Sequence, residues 1–267
     1  MFKTPHIKLI RVIAVILVLF SLVNISGCAK QASVRPAPKI IYDPNFNDLI
    51  QKPSPNDPDL ADPDPDDENP IPDPDIEPIL EPREKISSLK EKHPDVVGYL
   101  IVSGTKIDLP VVQGTDNEYF LTHTYDGKNS KNGAAYLDAK SNDKLLSQHA
   151  IIHGHNRRNG TIFSELDNFK KSSFFKNNKT FIYENLYYKA RYEIFAVCVV
   201  NETEKIPLGF ANSNKFTEYQ QSLLDRSLHK TDFTPDENAI ILTLHTCTYD
   251  FKNAHLLISA RLIEFLE

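Results

Sequence analysis

The sequence predicts a mainly β fold, an eight-stranded barrel with an N-terminal helix and inserted helices, over residues 83–267. Short apolar runs recur along this part of the chain, and turn-forming residues separate them. Helical periodicity is limited to two or three short segments. A stretch of about 185 residues is long enough for a single hydrophobic core, so many strands with few helices favour a barrel.

The eight predicted strands follow one another along the chain. Residues 96–102 and 107–113 flank Ser103-Gly104-Thr105, a turn sequence that is typical of a hairpin. Four more apolar runs predict strands in the middle of the domain, at residues 134–137, 150–153, 180–183 and 189–200. Two last runs complete the set, at residues 239–244 and 255–265.

The helices are predicted from periodicity and from helix-ending residues. Residues 84–92 place Ile86 and Leu89 on one face, and Pro94 ends this helix. Residues 163–171 predict a second short helix. A third helix is indicated by apolar residues that share one face at i, i+3, i+7 and i+8, namely Phe216, Tyr219, Leu223 and Leu224.

Residues 1–28 carry the features of an export signal. A basic start precedes an apolar run of about a dozen residues, which is short for a membrane span. The run ends in Ile25-Ser26-Gly27-Cys28, which resembles the lipobox of bacterial lipoproteins, where the chain is cut before the Cys and the Cys carries lipid. The alternative is an uncleaved membrane anchor with an incidental Cys28. Both hypotheses place the rest of the chain at the extracytoplasmic face of the membrane, anchored at its N-terminus.

Residues 29–82 form a Pro/Asp-rich segment that we expect to be a disordered spacer. Between residues 53 and 82 there are ten prolines and eleven acids without a Lys or Arg, so this stretch stays extended and solvated. A specific acidic docking segment is the alternative. The chain has a formal charge of −6 and this stretch contributes −11, so the remainder carries about +5. Nothing in the chain resembles a nucleic-acid-binding module.

Two residues with catalytic chemistry follow apolar runs. Cys247 follows residues 239–242, and His155 follows residues 150–152, so both are expected at the exits of buried strands. Stiff strands can hold a thiol and an imidazole at a fixed separation on a wet surface, as thiol catalysis requires. Cys198 lies inside an apolar strand run and is expected to be a core residue.

Several motifs, in order, resemble class B sortases, the cysteine transpeptidases of Gram-positive surfaces. The similarity runs from about residue 96 to residue 267. The C-terminal motif Thr243-Leu244-His245-Thr246-Cys247 fits Thr-Leu-x-Thr-Cys of that family. Further matches are Gly154-His155-Asn156 with Gly160-Thr161-Ile162-Phe163, the run Asp95-Val96-Val97-Gly98-Tyr99-Leu100-Ile101, Pro110-Val111-Val112-Gln113, and Asp116-Asn117-Glu118-Tyr119.

The resemblance implies a sortase-type barrel and a two-step acyl transfer without a cofactor or metal. Cys247 would attack a Thr carbonyl in the sorting signal of a surface protein, giving a thioester. His155 would protonate the leaving amine and then deprotonate the incoming amine of a cell-wall peptide or pilin. The resemblance also implies substrate contacts, which we expect from Thr243, Leu244, Thr246, Asn156 and Asn117.

The chain departs from the family eight residues after Cys247, where class B sortases have an Arg that stabilises the oxyanion. His255 stands there. A neutral imidazole offers one donor, whereas guanidinium offers a permanent charge and a donor fork. Three hypotheses remain: a protonated His255 does the work of the Arg, Arg157 or Arg158 replaces it, or the enzyme is weakened. Arg261 is a poor substitute, because six residues of strand put it about 20 Å away.

Other functions and other roles for the histidines remain open. A sortase-like domain with little activity could bind a peptide or a partner, and a secreted cysteine peptidase would use water as the acceptor. His153, His155, His245 and Cys247 have a spacing that zinc could use, although the sortase motifs already account for two of them. His153 is otherwise a hydrogen-bonded strand residue, and His245 either faces away from catalysis or lines the cleft. His149 is expected at the solvated surface.

Overall fold

The structure is a computed structural model that describes residues 83–141 and 147–266. The predicted export signal or anchor with Cys28 and the predicted spacer at residues 29–82 lie outside the described residues. Within the described part, none of the helices has the length and apolar character needed to cross a membrane.

Eight strands close into a barrel in the order β1-β2-β3-β4-β7-β8-β6-β5, which confirms the predicted architecture. The strands are β1 Val96–Val102, β2 Asp108–Val112, β3 Ala135–Leu137, β4 His149–His153, β5 Thr180–Asn185, β6 Lys189–Asn201, β7 Ile241–Thr248 and β8 Ala254–Leu266. The α-helices are α1 Glu84–Lys92, α2 Ser172–Asn177 and α3 Ser213–Arg226, and 3-10 turns occupy Tyr119–Leu121 and Ser164–Lys170.

Two of the strand pairs are parallel, and they set which chain segments meet. β2 pairs in parallel with β3, and β4 pairs in parallel with β7. The other pairs around the barrel are antiparallel. Since parallel neighbours need a long crossover, β4 and β7 come from segments almost ninety residues apart.

Side-chain alternation separates a barrel interior from an outer face. Leu242 and Leu244 on β7 belong to the interior cluster, as do Leu256 and Ile258 on β8. The residues between them therefore point outward. A second cluster covers part of the outer face, where α3 packs through Phe216 and Leu223 on Phe195 and Cys198 of β6. Cys198 is buried, as predicted.

Charge placement suits the ends of α1, and a side-chain cap begins α3. α1 has Glu84 in its first turn and Lys90 and Lys92 in its last, which suits the helix dipole. The Asn212 side chain accepts a 3.0 Å hydrogen bond from the Lys215 amide and so caps α3. The predicted helix over residues 163–171 is instead the 3-10 turn Ser164–Lys170, and the separate α2 follows it.

Two sequence predictions about β4 and β7 are wrong. The last-but-one strand does not end at Leu244 but continues through Cys247 to Thr248. His149 is fully buried instead of solvated. Its Nδ1 donates to the Pro207 carbonyl at 2.6 Å, and its Nε2 lies 2.8 Å from the Thr243 hydroxyl. Burial lowers the pKa of His149 to about 4, so it is a neutral core residue at pH 7.

Buried neutral His149 makes the fold sensitive to acid. The unfolded chain binds a proton at this residue near pH 6.5 and the folded chain only near pH 4. Stability should therefore fall as the pH drops through this window, by about 3 kcal/mol at most from this group. In urea unfolding between pH 7 and pH 4.5, His149→Gln should show a shallower loss than the parent. Equal slopes would contradict the assignment.

Candidate active site

Three adjacent strands place a row of reactive side chains on the outer face of the barrel. His245 and Cys247 both point outward from β7, because they alternate with Leu244 and Thr246, which point inward. His153 of β4 pairs with His245, and His255 of β8 pairs with Cys247. Paired residues on neighbouring strands have side chains on the same face, so these four groups form one site.

His155 reaches this site because the β4 segment keeps following β7 beyond its last paired residue. The Gly154 amide donates to the His245 carbonyl at 3.1 Å, and the Thr246 hydroxyl donates to the Gly154 carbonyl at 2.6 Å. His155 therefore lies two residues beyond His153, as Cys247 lies two beyond His245. A side chain at Gly154 would come within 2.7 Å of the Phe163 ring, so this close approach requires glycine.

The hydrogen bond of His155 fixes its tautomer. Its Nε2 lies 2.9 Å from the Leu121 carbonyl, which can only accept, so Nε2 carries the proton and Nδ1 remains basic. Burial is the main cause that lowers the pKa of His155, and Arg157 lowers it further. His155 is thus a neutral base in the resting protein, with Nδ1 available to take a proton.

Cys247 is exposed and combines opposing influences on its thiol. Desolvation raises the pKa of Cys247 above its usual value, and the carboxylate of Glu202 raises it further. The guanidinium of Arg157 lowers it. Cys198, in contrast, is buried, and burial raises its pKa to about 11. Cys247 is therefore the reactive thiol of the described residues, and it needs a base to ionise.

His255 stands directly across from Cys247 and is tied to His245. Its Nδ1 lies 2.8 Å from His245 Nε2, which leaves its Nε2 as the free ring nitrogen. Burial lowers the pKa of His255, Glu202 raises it, and His153 lowers it. The side chain thus occupies the place where the sequence comparison leads one to expect a guanidinium.

The residues predicted to contact substrate divide into two groups. Thr243 and Leu244 are fully buried: the Thr243 hydroxyl lies between His149 and Ser259, and Leu244 lies in the barrel interior. Thr246 is 2% exposed and binds the Gly154 carbonyl. These three buried side chains help to hold β7 in place, and their contact with substrate stays a prediction.

The two asparagines support the site through carboxylates. The Asn156 amide donates to Asp167 at 2.9 Å, and Asp167 also binds the Thr248 hydroxyl at 2.8 Å. The Asn117 amide donates to Asp138 at 2.8 Å, and its oxygen accepts from the Ala139 amide. Asn156 is 7% exposed, so little of its side chain is open to a peptide.

The three arginines considered as substitutes differ in position. Arg261 is bound to Glu193 at 2.9 Å, and Arg158 lies over the Tyr249 ring at 5.4 Å. Arg157 acts electrostatically on both Cys247 and His155, and its buried Nε has no hydrogen-bond partner. Arg157 is therefore the arginine of this group whose charge reaches the thiol.

The zinc hypothesis finds no support in the described residues. No group of three or more His, Cys, Asp or Glu there has an arrangement that could hold a metal ion. His153 and His245 instead contact each other directly, with 2.7 Å between their Nδ1 atoms. Two nitrogen ligands of one zinc ion lie farther apart than this, so the two rings share a hydrogen bond instead.

Sequence reasoning missed Asp138 as a member of the site. Its carboxylate binds His153 Nε2 at 3.1 Å and directly follows β3. Its position at a strand exit is the same signal that identified Cys247 and His155. The signal was not sufficient alone, because many polar residues follow strands.

Comparison with known proteins links this geometry to one family. A model described as the sortase domain matches residues 100–264. Sortase B of Listeria monocytogenes is 28% identical over 186 residues, which cover 68% of this chain and 76% of that protein. The structure is similar to Clostridium perfringens sortase B, with 34% identity, a TM-score of 0.63, and coverage of 67% of this chain and 99% of that one. Bacillus anthracis sortase B in complex with AAEK2 has 26% identity, a TM-score of 0.66, and coverage of 70% and 86%.

The opposing charges around Cys247 predict opposite shifts in thiol reactivity. Arg157→Gln removes a group that lowers the pKa of Cys247, so alkylation should need a higher pH. Glu202→Gln removes a group that raises it and should move alkylation to lower pH. Iodoacetamide rates against pH, with the modified peptide identified by mass spectrometry, check both shifts. Arg158→Gln is the matched control and should leave the profile in place.

Proposed function

This chain belongs to the sortase family as a class B sortase transpeptidase, and on that premise we propose its substrates. It cleaves the C-terminal sorting signal of a surface protein after Thr. It then transfers the acyl group to an amine of a cell-wall peptide or a pilin. The observation that carries the proposal is that Cys247 pairs with His255 while the hydrogen bonds of Gly154 align the segment of His155 with β7 beyond the end of β4.

The first half-reaction uses the bare nitrogen of His155. The Cys247 thiol gives its proton to His155 Nδ1, since Nε2 is engaged with the Leu121 carbonyl. The thiolate attacks the Thr carbonyl carbon, and the carbonyl oxygen becomes an oxyanion. The C–N bond then breaks, the imidazolium proton goes to the leaving amine, and a thioester with Cys247 remains.

The second half-reaction runs through the same groups. The acceptor amine attacks the thioester carbonyl and gives a proton to His155 Nδ1. The C–S bond breaks and Cys247 leaves as a thiolate that recovers the proton from His155. Transfer requires the amine to outcompete water, and peptide hydrolysis is the outcome when it does not.

A second candidate function is a sortase-like module that binds a peptide without efficient transfer. Two observations favour it: His255 replaces a permanently charged Arg, and desolvation with Glu202 raises the pKa of Cys247. Both features would slow acylation without preventing peptide binding. Trapping of a covalent intermediate separates the two candidates.

We also propose attachment at the extracytoplasmic face of the membrane, at the cell surface, through residues 1–28. The basic start, the short apolar run and Cys28 within a lipobox-like sequence support this proposal. The Pro/Asp-rich segment at residues 29–82 would then space the catalytic domain from the membrane.

Loss of Cys247 should abolish the reaction without loss of the fold. Cys247→Ala should form no covalent adduct with a panel of Thr-containing sorting-signal peptides, whereas the parent should form a thioester seen by intact-protein mass spectrometry. Cys198→Ala, the matched control, should retain the adduct and lose stability at most. Transfer by Cys247→Ala would show that another group is the nucleophile.

Product analysis tests transfer against hydrolysis. Adding an amine acceptor to the acylating parent should divert the product from acid to amide, which chromatography with mass spectrometry measures. Acid as the sole product at saturating amine would indicate a peptidase instead.

Membrane fractionation tests the anchor. Cys28→Ser should release the protein into the soluble fraction if a lipid on Cys28 is its tether. Retention of the variant with residues 1–27 still attached would favour the uncleaved apolar anchor.

A further inference from the structure

Four side chains form a continuous hydrogen-bonded line that ends beside the nucleophile. Asp138 Oδ2 lies 3.1 Å from His153 Nε2, and His153 Nδ1 lies 2.7 Å from His245 Nδ1. His245 Nε2 lies 2.8 Å from His255 Nδ1. His255 is paired with Cys247 across β7 and β8. We call Asp138, His153, His245 and His255 together the imidazole chain.

Proton counting fixes the resting state of the imidazole chain. Asp138 is an acceptor, because its bond with His153 lowers the pKa of Asp138 to about 2. His153 therefore carries its hydrogen on Nε2 and offers a bare Nδ1. His245 must donate to it through Nδ1 and must accept at Nε2 from His255 Nδ1. In this fully neutral state His255 Nε2 has no hydrogen and would repel an oxyanion.

One added proton turns His255 Nε2, the last nitrogen of the line, from an acceptor into a donor. If His153 is the cation, it donates to His245, which donates to His255 Nδ1, so His255 Nε2 carries a hydrogen. If His245 is the cation, it donates in both directions and His255 Nε2 again carries a hydrogen. If His255 is the cation, both of its nitrogens do. Each singly protonated state therefore presents an N–H donor at His255 Nε2.

The surrounding charges limit the imidazole chain to about one extra proton. A second cation would sit against the first, and burial with the neighbouring His153 and His255 lowers the pKa of His245 to about 3. The extra charge is therefore disfavoured on His245, in the middle of the line. Asp138 faces His153 at one end, and Glu202 raises the pKa of His255 at the other.

Other groups packed around the line are neutral or lie toward the thiol. The Tyr136 ring stacks on His153 with 5.1 Å between centroids. Burial and Asp138 raise the pKa of Tyr136 to about 12, so it stays neutral. Arg157 acts on Cys247 and His155, and Cys247 faces His255 across the strand pair.

We propose that the imidazole chain is a proton relay that turns His255 Nε2 into the hydrogen-bond donor for the oxyanion of the tetrahedral intermediate. His255 is then a third catalytic residue beside Cys247 and His155, while Asp138, His153 and His245 act through it as positioning residues. The relay supplies a positive charge only when the imidazole chain holds its extra proton, whereas a guanidinium is charged at every working pH. This inference rests on the proposed transpeptidase function.

The relay predicts a pH dependence that belongs to the whole line. Acylation should fall as the pH rises through the apparent pKa at which the extra proton leaves, because His255 Nε2 then loses its hydrogen. Asp138→Asn removes the carboxylate that favours the cation, so this fall should move to lower pH. His245→Phe interrupts the line and should reduce kcat by about 10²-fold with little change in KM, as loss of an oxyanion donor does.

Double variants separate a relay from a structural role. His255→Arg should restore a donor that needs no relay, so Asp138→Asn and His245→Phe should each lose most of their effect in that background. The matched control His229→Phe changes a half-buried histidine that binds the Phe169 carbonyl and stacks on Phe175 instead of joining the line, and it should leave the pH profile unmoved. Equal losses with His255 and with Arg at this position would overturn the relay.

Nitrogen NMR tests the protonation state without requiring turnover. In Cys247→Ala with ¹⁵N-labelled histidine, the ring signals of His153, His245 and His255 should shift together in one titration step. Three independent steps would overturn the relay. If no variant acylates any peptide, including His255→Arg, while the single step is observed, the proposed function fails and the shared proton stands.

Discussion

The parallel pairing of β4 with β7 is the constraint on which the site depends. It places His153 against His245, and the Thr246–Gly154 hydrogen bond carries the alignment onward to His155 and Cys247. The two proposed catalytic groups come from segments that no local interaction could bring together. A shift of one residue between these strands would turn Cys247 or His155 toward the barrel interior. The buried side chains of Leu242, Leu244 and Ile152 oppose such a shift, because each would then leave the core.

The outer face of β4, β7 and β8 carries two sets of polar residues, with apolar side chains such as Ile241 and Leu257 beside them. At the covered end, His149, Thr243 and Ser259 form a closed hydrogen-bonded set beneath the segment that contains Pro207. A satisfied buried set fixes strand register without needing a charge. At the open end, the imidazole chain ends at a nitrogen without a partner among the described residues. The imidazole chain can therefore bind a ligand through its free nitrogen, whereas the set of His149, Thr243 and Ser259 has its hydrogen-bonding groups already occupied.

The sequence predicted the number of strands and the helix Glu84–Lys92, because these depend on local pattern, while the catalytic roles of Cys247 and His155 stay a prediction from motif. It missed the burial of His149 and the contact of Asp138 with His153, because both depend on which distant segments pack against these strands. Thr243, Leu244 and Thr246 lie in the motif yet point into buried surroundings. A motif identifies residues that belong to a site, but the alternation of side chains along the strand decides which of them face the substrate and which face the core. His245 shows the same limit, since its shared face with Cys247 follows once β7 is known to continue through residue 248.

Replacing a guanidinium by an imidazole changes what the rest of the site must provide. Arg carries its charge regardless of its surroundings, so a site built on it needs only to position the side chain. An imidazole beside a desolvated thiol tends to lose its proton, and burial lowers the pKa of His255 accordingly. A distant carboxylate can counter this loss only through groups that pass on hydrogen-bond direction, since its Coulomb field weakens with distance. Asp138, His153 and His245 are such groups, and their continuity matters more than the strength of any single bond. The imidazole at position 255 and the line behind it are therefore best understood as one functional unit.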